Sequence, residues 1–535
     1  MARERLYIFD TTMRDGQQTA GVDFAVADKI KLARALDALG VDYVEGGYPG
    51  ANPTDTQFFN ELGGLKGAHL TAFGMTKRAG RSAENDPGFM EVLDAPSAAV
   101  CLVAKSWDYH VDVALGISNE ENVQAISDSV AAIIARDKEA MIDCEHFFDG
   151  YKANRDYALA CVEAAMEAGA RWVVLCDTNG GTLPDEVFDA VSDVSRQFSG
   201  AQLGIHTHND TENAVANSLA AIQAGVRQVQ GTINGLGERC GNANLVSLIP
   251  TLLLKPGYAD KFETGIALEN LPQVKNVSLL LDDILNRTPN RHAPYVGASA
   301  FAHKGGIHVS AVMKDPSTYE HVPPESVGNN RVILVSDQAG KSNVLDRLKT
   351  ADIQVDAKDP AVDRILREVK EKELLGYSYD GVGASFELMA LQQLDRLPNF
   401  FDVQGYTVNI SNDGAGKTVS EASVSLVIDG ETVNGKGTGN GPINALDMAL
   451  RADLKRYAAT ISGMRLVDFK VRILNTGTEA VTRVTIESVD EAGDSWRTIG
   501  VNANIVVASF EALKDALVYK LFKDGVSAVP ETAAE

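Results

Sequence analysis

His206 and His208 stand one residue apart in the run His206-Thr207-His208-Asn209-Asp210, directly after a short β-type stretch at 201–205. Side chains of an extended segment alternate, so the two imidazoles share one side. Two neutral imidazoles so placed can bind a borderline divalent cation, or can be an ordinary hydrogen-bonded pair. Other residues bear on that choice. Asp15 offers a hard carboxylate oxygen and Asn242 an amide oxygen. With the histidines they make a mixed nitrogen and oxygen set that leaves two positions for substrate or water. Such a set suits Mn2+, Mg2+, Co2+ or Zn2+ without choosing among them. Taken singly, Asp15 reads equally as a helix N-cap or turn residue, and Asn242 as a turn former among glycines.

Three further side chains fit the same chemistry. Arg14 would set a fixed positive charge where negative charge develops on a substrate oxygen, or else make a surface salt bridge. Glu145, between Cys144 and His146, reads as a base, as an orienter of one, or as a solvated loop acid. Thr178 would donate to a substrate carboxylate, or cap a helix starting near Pro184. The stretch Gly235-Leu236-Gly237-Glu238-Arg239 permits close backbone approach, although a glycine pair is weak evidence for phosphate binding.

These residues fall at the ends of regularly spaced elements. Apolar runs at 6–10, 42–46, 70–74, 99–103, 140–144, 172–176, 202–206 and 228–232 read as strands. Helical periodicity fills 25–39, 120–136, 155–168, 185–198 and 212–224, with another helix from Asn244. Eight strand–helix units predict an α/β fold of the (β/α)8 TIM-barrel kind, with its active site at the C-terminal strand ends. Arg14-Asp15, Glu145, Thr178, His206/His208 and Asn242 all follow such ends. A doubly wound open sheet is the other α/β solution, but no G-x-G-x-x-G follows the first strand.

The barrel is expected over 1–270. Small helical linker subdomains follow over 271–397, punctuated by Pro289, Pro294, Pro316, Pro323 and Pro324. Over 398–535 alternating strands interleaved with helices at 443–457 and 505–521 predict an α+β domain. The 73 acidic residues outnumber the 49 basic ones, giving −24, which argues against nucleic acid or an anionic membrane as partner. Five cysteines, all in the first half and without a C-x-x-C pair, suit a reducing cytoplasm. The N-terminus lacks a signal-type apolar region, and no apolar run is long enough to span a bilayer.

Three motifs together resemble a family. Asp-Thr-Thr-Met-Arg-Asp-Gly-Gln-Gln at 10–18, His-Thr-His-Asn-Asp at 206–210 and Gly-Leu-Gly-Glu-Arg-Cys-Gly-Asn-Ala at 235–243 are similar to signatures of the 2-isopropylmalate, homocitrate and citramalate synthases. The likeness spans essentially the whole chain. It implies a metal-dependent barrel that joins acetyl-CoA to a 2-oxo acid by Claisen condensation. The sequences at 45–53, 143–152 and 302–311 resemble the citramalate branch, implying pyruvate as the oxo acid. Sister synthases using other oxo acids, and lyases or aldolases on the same barrel, are the alternatives. The segment containing 439–445 resembles the family's allosteric domain, implying an amino-acid effector, isoleucine for this branch, and a homodimer.

The resemblance also assigns roles. Asp15, His206 and His208 match metal ligands, with Asn242 as a fourth or adjacent to them. Arg14 matches the arginine that polarises the oxo group, and Glu145 and Thr178 match contacts to the oxo acid. His303 and Tyr319 match catalytic residues that relatives deliver from a partner subunit, leaving Glu145 or His303 as the base. Asp143 departs from the apolar or aromatic residue that some members place two before the glutamate.

Overall fold

A computed structural model describes residues 3–335, 339–379, 381–412, 416, 418–474 and 480–528. Eight parallel strands close into a barrel: β1 (Tyr7–Asp10), β2 (Tyr43–Gly47), β3 (His69–Met75), β4 (Ala99–Lys105), β5 (Glu139–Glu145), β6 (Trp172–Asp177), β7 (Leu203–Thr207) and β8 (Gln228–Gly231). β8 pairs with β1 through Tyr7 opposite Gln228 and Asp10 opposite Gly231, which completes the ring. All eight expected strands form.

The lower interior is an apolar plug built from Phe9, Tyr43, Cys101, Met141, Trp172 and Val174 among others. Met141, Asp143 and Glu145 lie two residues apart on β5 and so share its inner face, while Ile142 and Cys144 pack with the helical layer. The inner face thus passes from a thioether at the plug to two carboxylates toward the C-terminal end. That gradient separates the stabilising floor from a polar ceiling.

Helices surround the barrel, including Val26–Leu39, Asn119–Ile134, Arg155–Glu167, Pro184–Gln197, Ala214–Ala224 and Leu245–Leu254. Two further helices, Pro53–Glu61 and Pro87–Asp94, complete the units after β2 and β3. Helix Gln273–Ile284 buries Val274, Val277 and Leu281 in the barrel's own core. The chain divides into two compact units, residues 1–301 with 322–330, and residues 302–321 with 331–535.

The second unit contains helices Gly306–Val312, Lys341–Thr350, Pro360–Leu374 and Gly383–Gln393, then two antiparallel sheets. The first sheet is β9 (Asp402–Asn412), β10 (Thr418–Ile428) and β11 (Glu431–Gly439); the second is β12 (Arg465–Ile473), β13 (Thr482–Val489) and β14 (Ser495–Asn502). Each is followed by a helix packed on its last two strands, Pro442–Arg451 and Ile505–Lys523. The helix expected over 443–457 ends early, at Arg451, and a 3-10 turn at Lys455–Tyr457 follows. Both halves seat the helix against a glycine of the third strand. A Cβ on Gly435 would lie 1.9 Å from the Ala449 carbonyl oxygen, and one on Gly500 would lie 2.0 Å from that of Ala508. The two βββα halves are therefore built alike and share one core. Among the described residues no helix is long and apolar enough to cross a membrane.

Candidate active site

The polar residues collect at the C-terminal end of the barrel. β1 runs into a tight turn in which Asp15 starts the 3-10 helix Gly16–Gln18 without capping it by its side chain. Its carboxylate instead points at the histidines. Asp15 Oδ2 is 3.2 Å from His206 Nε2 and 3.8 Å from His208 Nε2, and the two Nε2 atoms are 3.3 Å apart. Asn242 Nδ2 donates to the same Oδ2 at 2.8 Å. All four residues are buried.

Asp15, His206 and His208 form a possible metal site, with one ligand atom from each within 4.8 Å of the others. Their protonation suits a cation. Burial alone would raise the Asp15 pKa, but Arg14 and the two histidines hold it well below the usual carboxylate range. Burial and His206 push His208 down to about 3, so its imidazole is neutral. His208 Nδ1 and Asn242 Oδ1 are buried without a hydrogen-bond partner. A neutral imidazole at His208, an ionised carboxylate and an unused amide oxygen are donors a divalent cation takes. Burial alone would lower the His206 pKa, but Asp15 raises it, so a cation there would take the place of a proton. Asn242 braces Asp15 through its amide nitrogen.

The loop bearing Asn242 depends on its glycines. Gly237 has φ +154°, and a Cβ there would come within 2.2 Å of Asn242 Oδ1. Arg239 forms no isolated pair with Glu238. It donates to Asp210 at 2.8 and 2.9 Å and to the Thr178 carbonyl at 2.7 Å, tying together the loops after β6, β7 and β8.

Arg14 is not a surface residue. Its Nε donates to Glu45 Oε2 at 2.7 Å, its Nη1 lies 3.6 Å from Asp15 Oδ1, and its guanidinium sits 3.9 Å over the Phe73 ring. Glu45 is fully buried in the middle of β2 and also accepts from the Thr11 hydroxyl. Sequence reading missed it, although an acid inside the apolar strand Tyr43–Gly47 was a usable signal. A second missed element is Lys29, fully buried. Its ammonium pairs with Asp55 and donates to the carbonyls of Met13 at 2.9 Å and Gly46 at 3.1 Å. One buried cation thereby ties the turn that carries Arg14-Asp15 to the strand that carries Glu45.

Glu145 pairs with Lys105, its registered neighbour on β4. Thr178 does not cap the helix at Pro184, whose N-cap is Leu183. Its Oγ1 accepts from the His146 amide at 2.8 Å, which leaves the hydroxyl proton to donate elsewhere. Asp143 is buried and accepts from Gln230 Nε2 at 3.0 Å. His303 and Tyr319 lie in the second unit. His303 Nε2 meets Glu320 Oε1 at 3.2 Å, and Arg331 holds both Glu320 oxygens at 2.6 Å. Tyr319 stacks on His308 with ring centroids 4.2 Å apart.

Comparison with known proteins speaks to the same surface. Residues 5–277 match the HMGL-like family, 295–374 a homocitrate synthase post-HMGL domain-like segment, and 381–521 the LeuA allosteric (dimerisation) domain. An (R)-citramalate synthase of Aquifex aeolicus is 47% identical over 97% of this chain and 98% of its own. One of Geobacter sulfurreducens is 46% identical over 96% and 97%. The chain belongs to the citramalate synthase family.

As a member of that family it is an acyltransferase that converts the acyl group into alkyl on transfer. A probable 2-isopropylmalate synthase of Methanopyrus kandleri stands further off, at 32% identity over 95% of this chain and 97% of its own. The polar ceiling described above lies within the part that citramalate synthases share with the HMGL-like family.

Proposed function

We propose that this enzyme condenses acetyl-CoA with pyruvate and hydrolyses the thioester, releasing (R)-citramalate and CoA. The observation that carries the reading is the convergence of Asp15, His206 and His208 beside Arg14 in a chain of this family. Asp15, His206 and His208, with Asn242 adjacent, would hold a divalent cation, which when bound supplies Lewis acidity toward the keto oxygen. Arg14, desolvated and aimed by Glu45, stabilises the negative charge that grows on that oxygen. The Thr178 hydroxyl donates to the pyruvate carboxylate, and Glu145 contacts the oxo acid while Lys105 balances its charge.

For the proton of the acetyl methyl we assign His303, which matches the histidine that relatives deliver from a partner subunit. A neutral His303 that donates from Nε2 to Glu320 keeps its lone pair on Nδ1, where it can accept a proton. Glu145 is already paired with Lys105 and keeps its contact to the oxo acid. Tyr319, which stacks on His308 in the same unit, is the second catalytic residue of this proposal. The fourfold assignment of metal ligands, these catalytic roles and the division at 1–270, 271–397 and 398–535 belong to the same proposal. So do a homodimer through the matched dimerisation domain, isoleucine as its feedback effector, and a cytoplasmic location.

Thiol release from acetyl-CoA with five 2-oxo acids tests the reading. Pyruvate should be turned over fastest, and only with a divalent cation. Faster turnover of 2-oxoisovalerate or 2-oxoglutarate would move the enzyme to a sister activity.

A further inference from the structure

Below the candidate metal ligands lies a buried pair that the reaction itself does not use. Gln230, on the inner face of β8, is fully buried, and Asp143, on the inner face of β5, is nearly so. Gln230 Nε2 donates to Asp143 Oδ1 at 3.0 Å, and Gln230 Oε1 lies 2.9 Å from His206 Nδ1. We propose that Asp143 and Gln230 are positioning residues that fix the tautomer of His206 and so set the affinity of the site for its cation. The inference rests on the metal reading of Asp15, His206 and His208.

Donors and acceptors fix the orientation of each group in turn. A carboxylate accepts only, so Asp143 makes Gln230 present its amide NH2 downward. The amide oxygen then faces His206 and also accepts only, so His206 must carry its proton on Nδ1. A neutral imidazole has one such proton, which leaves a lone pair on Nε2. That lone pair points at Asp15 Oδ2, 3.2 Å away, and at His208 Nε2, 3.3 Å away. An acceptor facing a carboxylate at this distance calls for a positive charge between them, which a proton or a divalent cation on Nε2 would supply. Orientation therefore passes from Asp143 through Gln230 to a ligand nitrogen without any help from the backbone. His208 receives no comparable support, because its Nδ1 has no partner. Asp143 is accordingly engaged below the ligands, which gives a carboxylate a task at a position where some members of the family carry an apolar or aromatic residue.

The test exchanges the two groups. In Gln230→Leu the acceptor for Nδ1–H is lost. In Asp143→Asn the new amide can donate to Gln230 Oε1, so Gln230 can reverse and move the His206 proton to Nε2. In the double variant Asp143→Asn, Gln230→Glu the new carboxylate accepts from both neighbours and rebuilds the original pattern. Chelated full-length protein is titrated with Mn2+ against a fluorescent chelator, with circular dichroism to confirm folding. 15N-histidine spectra of the metal-free proteins report the tautomer.

The expected result is Mn2+ binding weakened roughly 10- to 100-fold in Gln230→Leu and measurably in Asp143→Asn. The double variant should return to within a few-fold of the natural protein with His206 again protonated on Nδ1. Unchanged affinity in Gln230→Leu would overturn the proposal. If that variant does not fold, a folded double variant binding no better than Asp143→Asn would overturn it equally. Natural protein that takes up no Mn2+ would instead remove the metal reading underneath, a failure distinguishable from that of the relay.

Discussion

Arg14 shows how closely charge is balanced at the residue scale. A guanidinium so nearly buried needs acids beside it, and Glu45 and Asp15 supply them. The two acids have different work, because Glu45 aims the arginine while Asp15 also faces the histidines. Glu45→Gln should therefore lower kcat at least about tenfold while leaving Mn2+ affinity nearly unchanged, as steady-state kinetics and a metal titration would show. His206→Ala or Asp15→Ala should abolish turnover with an unchanged circular dichroism spectrum. Activity retained in both would remove the metal site from the account. The gathering of Asp15, His206 and His208 beside Arg14 was legible in the sequence because motif and strand end coincide. Glu45, Lys105 and Gln230 were not, because their partners lie 31, 40 and 24 residues away and only strand pairing and barrel closure bring them together.

At the scale of elements, the turn after β1 is tied to β2 by a buried ammonium rather than by apolar packing. Lys29 is fully buried and its partner Asp55 nearly so, and removing one member of such a pair strands the other. Lys29→Met should cost about 3 kcal/mol in urea unfolding and raise KM for the oxo acid as the turn loosens. A change below about 1 kcal/mol would show that the turn is set by other contacts. The eight strands were readable because apolar runs and turn residues recur at regular spacing. Helix Pro53–Glu61 escaped because it is short, although Asn52 caps it by accepting from the Asp55 amide and Pro53 begins it. The early end of the helix Pro442–Arg451 and the likeness of the two βββα halves are set by packing against glycine-bearing strands, which periodicity does not report.

At the scale of the whole molecule, the two units carry separable properties. In the second unit Asp515, which accepts from Ser385, is pushed up to about 6, chiefly by burial. A carboxyl raised in the folded state stabilises most below its unfolded value near 4, and that contribution is lost as pH rises through about 6. Asp515→Asn should thus gain stability relative to the natural protein between pH 4 and pH 7, read as a difference in thermal midpoint across that range. A pH-independent difference would contradict the shift. The net charge of −24 keeps the molecule away from polyanions yet leaves the barrel's mouth with Arg14 and Lys105 for anionic substrates. The central claim is that Asp15, His206 and His208 make condensation depend on a bound divalent cation. The direct measurement is the product formed from pyruvate and acetyl-CoA by chelated enzyme before and after Mn2+ is restored, resolved by chiral chromatography. The account predicts no product without the metal and (R)-citramalate with it, in step with CoA release. Equal yields in both states, or CoA release without citramalate, would contradict it.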